Sequence, residues 1–142
     1  MPSSIAPNLF IGSDPTAESI EAGKFKAVFL CARERQHWGE TFPGVQVHRV
    51  PMADLASSDP LPRATVAAAI NAAHAAATLA AGGTRTLIAC REGESRSAWV
   101  GALALMHGSV GADEAIARVR EARGTKALGD SKMVGVLKRF IA

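Results

Sequence analysis

The chain has little of what marks several large classes of protein. Its 142 residues include only two cysteines, Cys31 and Cys90, which are too few for a disulfide framework and match no zinc-binding spacing. Aromatic residues make up 5% of the sequence, and no basic block or aromatic–basic stripe occurs. We therefore expect no nucleic-acid partner, and we expect neither a metal nor a cofactor.

Signals for export and membrane insertion are also missing. Residues 1–4 lack the basic start and apolar core of a signal peptide, so we expect none. The longest apolar stretch, residues 64–81, is rich in alanine and interrupted by Asn71, His74 and Thr78, and we do not expect it to span a membrane. Together these absences favour a reducing cytoplasm, where free thiols persist.

The length and composition of the chain indicate one globular domain covering residues 1–142. Hydrophobic residues form 48% of the chain, which is enough for a core at this length, and neither an internal repeat nor a linker interrupts it. The net charge of +3 is compatible with an anionic substrate. The oligomeric state is left open by the sequence.

Strand-like and helix-like segments alternate along the chain. The patterns predict strands at Leu9–Ile11, Ala27–Cys31, Gln46–Val50 and Thr86–Cys90, and helices at Thr16–Ala22, Leu61–Ala81, Arg96–His107, Ala112–Arg123 and Asp130–Ile141. Asp14 is a candidate for the cap of the first helix, and Trp99 is expected to pack the third helix against the sheet. This alternation predicts an α/β fold with three layers, in which helices flank a mostly parallel sheet of four to five strands.

One octapeptide, residues 90–97 (CREGESRS), combines the residue types that bind and attack a phosphate. Cys90 follows an apolar strand, and Arg96 and Ser97 begin a helix, so backbone N–H groups and a guanidinium converge near a thiol. Arg96 can bind two phosphate oxygens at once, and the positive surroundings favour the thiolate of Cys90. Ser97 can hydrogen-bond the sulfur. Gly93 is placed where such a loop often needs a positive φ.

These residues resemble the H-C-x-x-G-x-x-R-S/T motif of the cysteine-dependent protein phosphatases, most closely its dual-specificity branch. The motif implies a phosphate-binding loop formed by Arg91, Glu92, Gly93, Glu94, Ser95 and Arg96. The resemblance continues at residues 5–13 (IAPNLFIGS), which are similar to the opening strand of these domains, and at residues 111–123, which are similar to the helix after the catalytic one. This chain departs from the motif at Ala89, where the family usually has a histidine that supports the loop.

Cleavage of a phosphate ester also needs a proton for the leaving oxygen. Asp54, in Val-Pro-Met-Ala-Asp, resembles the position of the family's general acid, and Asp59 in the same loop is the rival. Asp59 has a second possible role as a cap for the helix that follows Pro60.

The irregular segment 33–44 and the second cysteine have roles that the sequence leaves open. Cys31 is either a small apolar core residue or, by resemblance to the N-L-C-A-E-R stretch of a phosphoinositide phosphatase, a disulfide partner for Cys90. His37 and Trp38 lie in the irregular segment, where they are candidates for lining a substrate groove.

The resemblance implies a phosphoprotein phosphatase that works through a phosphocysteine intermediate. Glu92 and Glu94 make the rim of the loop acidic, and the loop has no lysine, which disfavours a polyphosphorylated headgroup. The small domain implies a shallow pocket that accepts phosphoserine and phosphothreonine as well as phosphotyrosine, on a phosphorylated protein or peptide partner. The alternatives are a rhodanese-like sulfurtransferase and, because of Ala89, a phosphate-binding pseudophosphatase with weak turnover.

Overall fold

The sheet has five strands in a single layer. The computed structural model describes residues 2–38, 42–54 and 60–140. The strands are β1 (Ser3–Ala6), β2 (Leu9–Gly12), β3 (Ala27–Ala32), β4 (Gln46–Met52) and β5 (Thr86–Ala89), in the spatial order β1-β2-β5-β3-β4. All neighbours are parallel except β1 and β2, so the predicted α/β fold with a mostly parallel sheet is confirmed.

Helices cover both faces of this sheet. They are α1 (Ala17–Ala22), α2 (Arg63–Ala81), α3 (Arg96–His107), α4 (Ala112–Arg123) and α5 (Ser131–Arg139). Successive side chains of β3 alternate between the two faces. Val28 and Leu30 join a small cluster with Ile20 of α1, whereas Phe29 and Cys31 join the larger cluster beneath the other four helices. The central strand β5 is therefore buried on both sides.

The N-terminal segment differs from the expected single strand, because it forms a hairpin. Asn8 adopts a φ of 64°, a left-handed conformation that asparagine tolerates better than most residues. The turn pairs Ser3 with Ile11 in antiparallel register and leaves β2 free to pair with β5 on its other edge. This arrangement brings the end of β2 beside the end of β5.

The starts of three helices were predicted wrongly. The cap of α1 is Thr16, whose hydroxyl accepts the Ser19 N–H at 3.0 Å, and Asp14 is not the cap. Helix α2 begins at Arg63 and not at Leu61, because a residue that precedes proline avoids helical conformation. At α5, Asp130 is the cap and not the first helical residue, since its carboxylate accepts the Lys132 N–H at 2.8 Å. The predicted end at Ile141 lies outside the described residues.

Helix α3 is the buried helix that carries the loop after β5. Trp99 is fully buried in the larger cluster, as predicted. Gly101 lets α3 approach the sheet closely, since a Cβ at this position would lie 2.7 Å from Ile11 Cγ2 on β2. Close packing of α3 on β2 and β5 holds the first turn of the helix above the ends of both strands.

Helix α2 is the one helix in the described part of the chain that is long and apolar enough to cross a membrane by length and composition. Buried core helices also meet this criterion of length and composition, so it is weak evidence for a membrane-spanning helix. Five of its alanines are buried, and the helix packs against α3. The expectation that it does not span a membrane stays a prediction.

Candidate active site

The thiol of Cys90 lies at the carboxyl end of β5, just before the loop that leads into α3. Its side chain is almost fully buried, and its Sγ is 3.1 Å from Ser97 Oγ. The Gly93 N–H donates to the same sulfur at 3.2 Å. A thiolate can only accept hydrogen bonds, so in that state both groups donate to it. The expected contact between Cys90 and Ser97 is therefore present.

Four consecutive carbonyl groups of the loop point outward and are held by donors from elsewhere in the fold. The Arg91 carbonyl accepts the Asp14 N–H at 3.4 Å, and the Glu94 carbonyl accepts the Leu128 N–H at 2.9 Å. Between them, Arg123 of α4 donates to the carbonyls of Glu92 and Gly93 at 3.2 and 3.3 Å.

This pattern fixes the direction of the loop's N–H groups. The described peptide bonds are all trans, so each N–H points away from the carbonyl of the same peptide unit. The N–H groups of residues 92–95 therefore turn toward the inside of the loop, and the Gly93 N–H reaches the sulfur. Inward N–H groups next to the start of a helix form an anion-binding nest.

Gly93 has the backbone conformation that the sequence predicted, with a φ of 74°. Glycine is also required for space, because a Cβ here would lie 2.8 Å from the Gly12 carbonyl carbon and 2.6 Å from Arg123 Nη2. The loop thus presses against the end of β2 on one side and against Arg123 on the other. Any larger residue would push the loop away from both supports.

Arg96 is buried at the first turn of α3 and is held by a residue that the sequence analysis missed. Its Nη1 and Nη2 donate to the two carboxylate oxygens of Glu34 at 2.7 and 2.8 Å, and Nη1 also donates to the Met52 carbonyl at 2.9 Å. Among the described residues, the buried Nε has no hydrogen-bond partner. The edge formed by Nε and Nη2 is the one left to bind two oxygens of a phosphate.

The pairing also determines the charge of both groups. Hydrogen bonds from Arg96 lower the pKa of Glu34 from 4.5 to about 2. The same hydrogen bond to Glu34 raises the pKa of Arg96 above its usual value of 12.5. Glu34 is consequently ionised at neutral pH and cannot serve as a proton donor. The sequence signals for Glu34 were its place in the irregular segment after β3 and the resemblance of residues 29–35 to the N-L-C-A-E-R stretch, and neither indicated a contact with Arg96.

A cleft of about 60 Å³ opens above the sulfur, and it is lined by Asp54, Cys90, Arg91, Glu92, Ser95 and Arg96. This small volume suits a single phosphoryl group better than a large ligand. Asp54 follows β4 and exposes its carboxyl group at the cleft. The structure therefore brings the predicted acid, thiol and arginine together. Asp59 lies outside the described residues.

Ala89 lies in a fully apolar setting. It is 1% exposed, faces the cluster that contains Val28 and Leu30, and pairs with Gly12 of β2 and Leu30 of β3. The support that the family obtains from a histidine is therefore not provided by residue 89 itself.

Of the two candidates for lining a groove, neither lines the cleft. His37 Nε2 lies 2.6 Å from Asp14 Oδ1, so His37 ties the segment after β3 to the segment after β2. Trp38 is 72% exposed and stacks on the guanidinium of Arg49 at 4.4 Å.

Cys31 lies on β3, which runs parallel to β5 with Leu30 opposite Ala89. Cys31 and Cys90 each follow the last residue paired between these two strands, and both belong to the larger buried cluster. Both cysteines are free thiols, and Cys31 is fully buried. Burial, reinforced by the charge of Cys90, strongly raises the pKa of Cys31. Cys31 is therefore protonated at neutral pH.

Comparisons with solved structures identify the fold class. No family model matches the chain, and no curated protein matches it. The structure of human DUSP28 is 26% identical, with a TM-score of 0.78 and coverage of 97% of this chain and 93% of that one. A mouse putative dual specificity phosphatase complexed with zinc tungstate is 25% identical, with a TM-score of 0.76 and coverage of 97% and 86%.

A third match, Tk-PTP in its active form, is 22% identical over 97% of this chain and 94% of that chain, with a TM-score of 0.76. The chain therefore has the fold of the dual-specificity phosphatases, as the motif resemblance predicted. The matched structures are phosphatases, which supports a phosphatase function for this chain.

Proposed function

We propose that this chain is a cysteine-dependent phosphatase that hydrolyses phosphate monoesters on phosphoproteins. The observation that carries the proposal is the single small cleft lined by Cys90, Arg96 and Asp54. Each has a distinct task in ester cleavage: nucleophile, charge stabiliser and proton donor. The inward N–H groups of the loop add the remaining contacts that a tetrahedral oxyanion requires.

In the first step, Cys90 Sγ attacks phosphorus and the bond from phosphorus to the leaving oxygen breaks. The Nε and Nη2 groups of Arg96 and the loop N–H groups bind the equatorial oxygens as charge spreads over them. Asp54 gives its proton to the leaving oxygen. The product of this step is a phosphocysteine and a free hydroxyl group on the substrate.

In the second step, water attacks the phosphocysteine and Asp54 accepts the proton of that water. The bond between phosphorus and sulfur breaks, inorganic phosphate leaves, and Ser97 Oγ donates a hydrogen bond to the departing thiolate. The 3.1 Å separation between Ser97 Oγ and Cys90 Sγ supports this role. Glu34 holds Arg96 in place throughout without exchanging a proton.

The proposed substrates are phosphotyrosine and phosphoserine or phosphothreonine in a protein chain. The cleft is small, about 60 Å³, and this breadth is proposed because the small domain leaves little room for loops that would deepen the pocket. Glu92 and Glu94 at the rim disfavour a headgroup with several phosphates. The free thiols support a reducing compartment such as the cytoplasm.

A phosphate-binding protein with weak turnover is the second candidate, and the surroundings of Ala89 favour it. The buried apolar setting of that residue offers no polar contact to the loop. Binding of phosphate needs only Arg96 and the inward N–H groups, whereas turnover also needs a reactive thiolate.

Hydrolysis of p-nitrophenyl phosphate and of phosphopeptides by the purified protein decides between these functions. We expect Cys90→Ser to abolish turnover and Asp54→Asn to lower kcat by about 10²–10⁴-fold, the usual range for general acid catalysis. Asp113→Asn, an exposed carboxylate on α4, is the matched control and should leave kcat unchanged.

Two further experiments distinguish the alternative functions. Tungstate, a tetrahedral oxyanion present in the mouse structure, should inhibit competitively if the loop binds phosphate. Phosphopeptide binding by the wild type without hydrolysis would indicate the binding protein, and sulfur transfer from thiosulfate to cyanide without ester cleavage would indicate a sulfurtransferase.

A further inference from the structure

A large open groove lies between α2 and α5, away from the cleft. It has a volume of about 740 Å³ and a largely apolar lining, with Val66 and Ile70 on α2, Val136 on α5 and Phe140 directly after α5 among its residues. All four side chains are only half-buried. Helix α5 packs on α3 and α4, and no other helix or strand of the described residues lines this face between α5 and α2.

Among the described residues, the charged side chains at the rim of the groove are basic. Arg63, Lys132 and Arg139 line it, and no aspartate or glutamate of the described residues does so. The N-terminus of α2 adds to this field, because Pro62 provides no side-chain cap and the first turn has no acidic residue. The positive end of the helix dipole and Arg63 therefore lie at the same end of the groove.

We propose that this groove binds an acidic amphipathic helix of a partner protein. The α5 side, residues 131–140, is about 15 Å long at 1.5 Å per residue. Apolar anchors at positions i, i+4 and i+7 of a bound helix span about 10 Å, so a groove of this length accepts two to three turns. The apolar face contacts the floor, while carboxylates on its flanks meet Arg63 and Arg139.

The groove shares no lining residue with the cleft at Cys90. Binding there can therefore be measured without any enzymatic readout, and the outcome is independent of whether the chain is an active phosphatase. The interaction is expected to weaken as salt is added, because its specificity depends on exposed charges.

A displayed library of amphipathic helical peptides provides the test. The peptides have about 16 residues, with apolar residues at i, i+4 and i+7 and mainly Glu and Asp elsewhere. A second library replaces these acids with Lys and Arg. Both are selected on the wild-type protein, and the affinities of enriched peptides are then measured by fluorescence anisotropy.

Matched variants assign the binding to the groove. The double variant Arg63→Glu with Arg139→Glu should weaken an enriched acidic peptide by about tenfold or more. Lys126→Glu with Lys138→Glu changes the net charge equally at exposed residues outside the groove lining and should change affinity by less than about twofold. Circular dichroism and thermal melting check that each variant folds.

A second pair of variants, one of which fills the groove with a large side chain, tests the proposal even if the charge-reversal variants do not fold. Ala67→Trp places a large side chain on the exposed α2 wall of the groove and should block binding, whereas Ala117→Trp on α4 should not. The proposal would be overturned if no acidic peptides were enriched, or if both double charge-reversal variants weakened peptide binding equally. Binding to phosphatidylserine vesicles that is lost with Arg63 and Arg139, without peptide binding, would show that a membrane occupies the groove and would also overturn it.

Discussion

Replacing Arg123 by methionine tests whether outside donors keep the phosphate loop in its anion-binding shape. The guanidinium donates to the carbonyls of Glu92 and Gly93 at 3.2 and 3.3 Å. Methionine keeps most of the apolar stem of the arginine but removes both donors. The two peptide units then lose the contacts that turn the N–H groups of Gly93 and Glu94 toward the oxyanion.

The size of the effect follows from these two contacts. A hydrogen bond from a charged donor contributes about 1.5–3 kcal/mol when well formed, and these bonds are long and partly exposed, so we take about 1 kcal/mol for each. Losing both lowers the stability of the ordered loop by about 2 kcal/mol. If the free energy of the transition state rises by this whole amount, kcat/KM falls by about 30-fold.

Steady-state hydrolysis of p-nitrophenyl phosphate measures this loss. We expect kcat to fall more than KM rises, because the loop N–H groups bind the transition state more tightly than the substrate. Arg118→Met on the same helix is the control, since Arg118 pairs with exposed Glu114 at 3.1 Å and not with the loop. A folded Arg123→Met variant whose kcat/KM stays within about twofold of Arg118→Met would refute the reasoning.

Three further predictions concern the neighbours of the cleft. Hydrogen bonds from Arg96 depress the pKa of Glu34 from 4.5 to about 2, so the pair stabilises the fold above pH 4.5 and loses its contribution as the pH falls toward 2. Chemical denaturation should therefore show Glu34→Gln to be less stable than wild type at neutral pH, with a difference that shrinks over this acid range; a constant difference would contradict the pairing. Ala89→His should speed alkylation of Cys90 near neutral pH but lower the melting temperature, because burying a larger side chain in a packed cluster costs about 1–3 kcal/mol; an unchanged profile of alkylation rate against pH would refute the first part. Peroxide should link Cys31 to Cys90, because each follows the last residue paired between two neighbouring parallel strands. Such strands lie about 4.8 Å apart, and a disulfide needs a Cα separation of about 4.4–6.8 Å. Mass spectra that show only sulfinic or sulfonic Cys90 would exclude Cys31 as the disulfide partner.

The conformation of the proposed phosphate loop could be predicted from the sequence because the residues that define it are local. Cys90, Gly93, Arg96 and Ser97 are contiguous, and the strand before them and the helix after them have clear periodic patterns. The sheet was predictable for the same reason, since short apolar strands alternate with helices. Asp54 was reached by its match to a family motif, and the structure puts it at the cleft.

Helix ends and the N-terminal hairpin were harder to predict. At a helix end, several neighbouring polar residues can each serve as the cap. Asp14 and Thr16 both have side chains that can cap α1, and Thr16 is the cap. The carboxylate of Asp14 instead pairs with His37, which is distant in sequence. At Asn8 the turn depends on a single residue with a positive φ, which periodicity does not reveal.

By itself, the sequence determined the proposed nucleophile, the proposed anion-binding arginine, the glycine between them and the alternation of strands and helices. These depend on neighbouring residues and on the repeat of apolar side chains. Only the tertiary structure decided which edge of Arg96 is open, since Glu34 is 62 residues away in the chain. It likewise decided the direction of the loop N–H groups, because Arg123 contacts Gly93 across 30 residues. No local pattern records such contacts, since they form only when packing brings distant segments together.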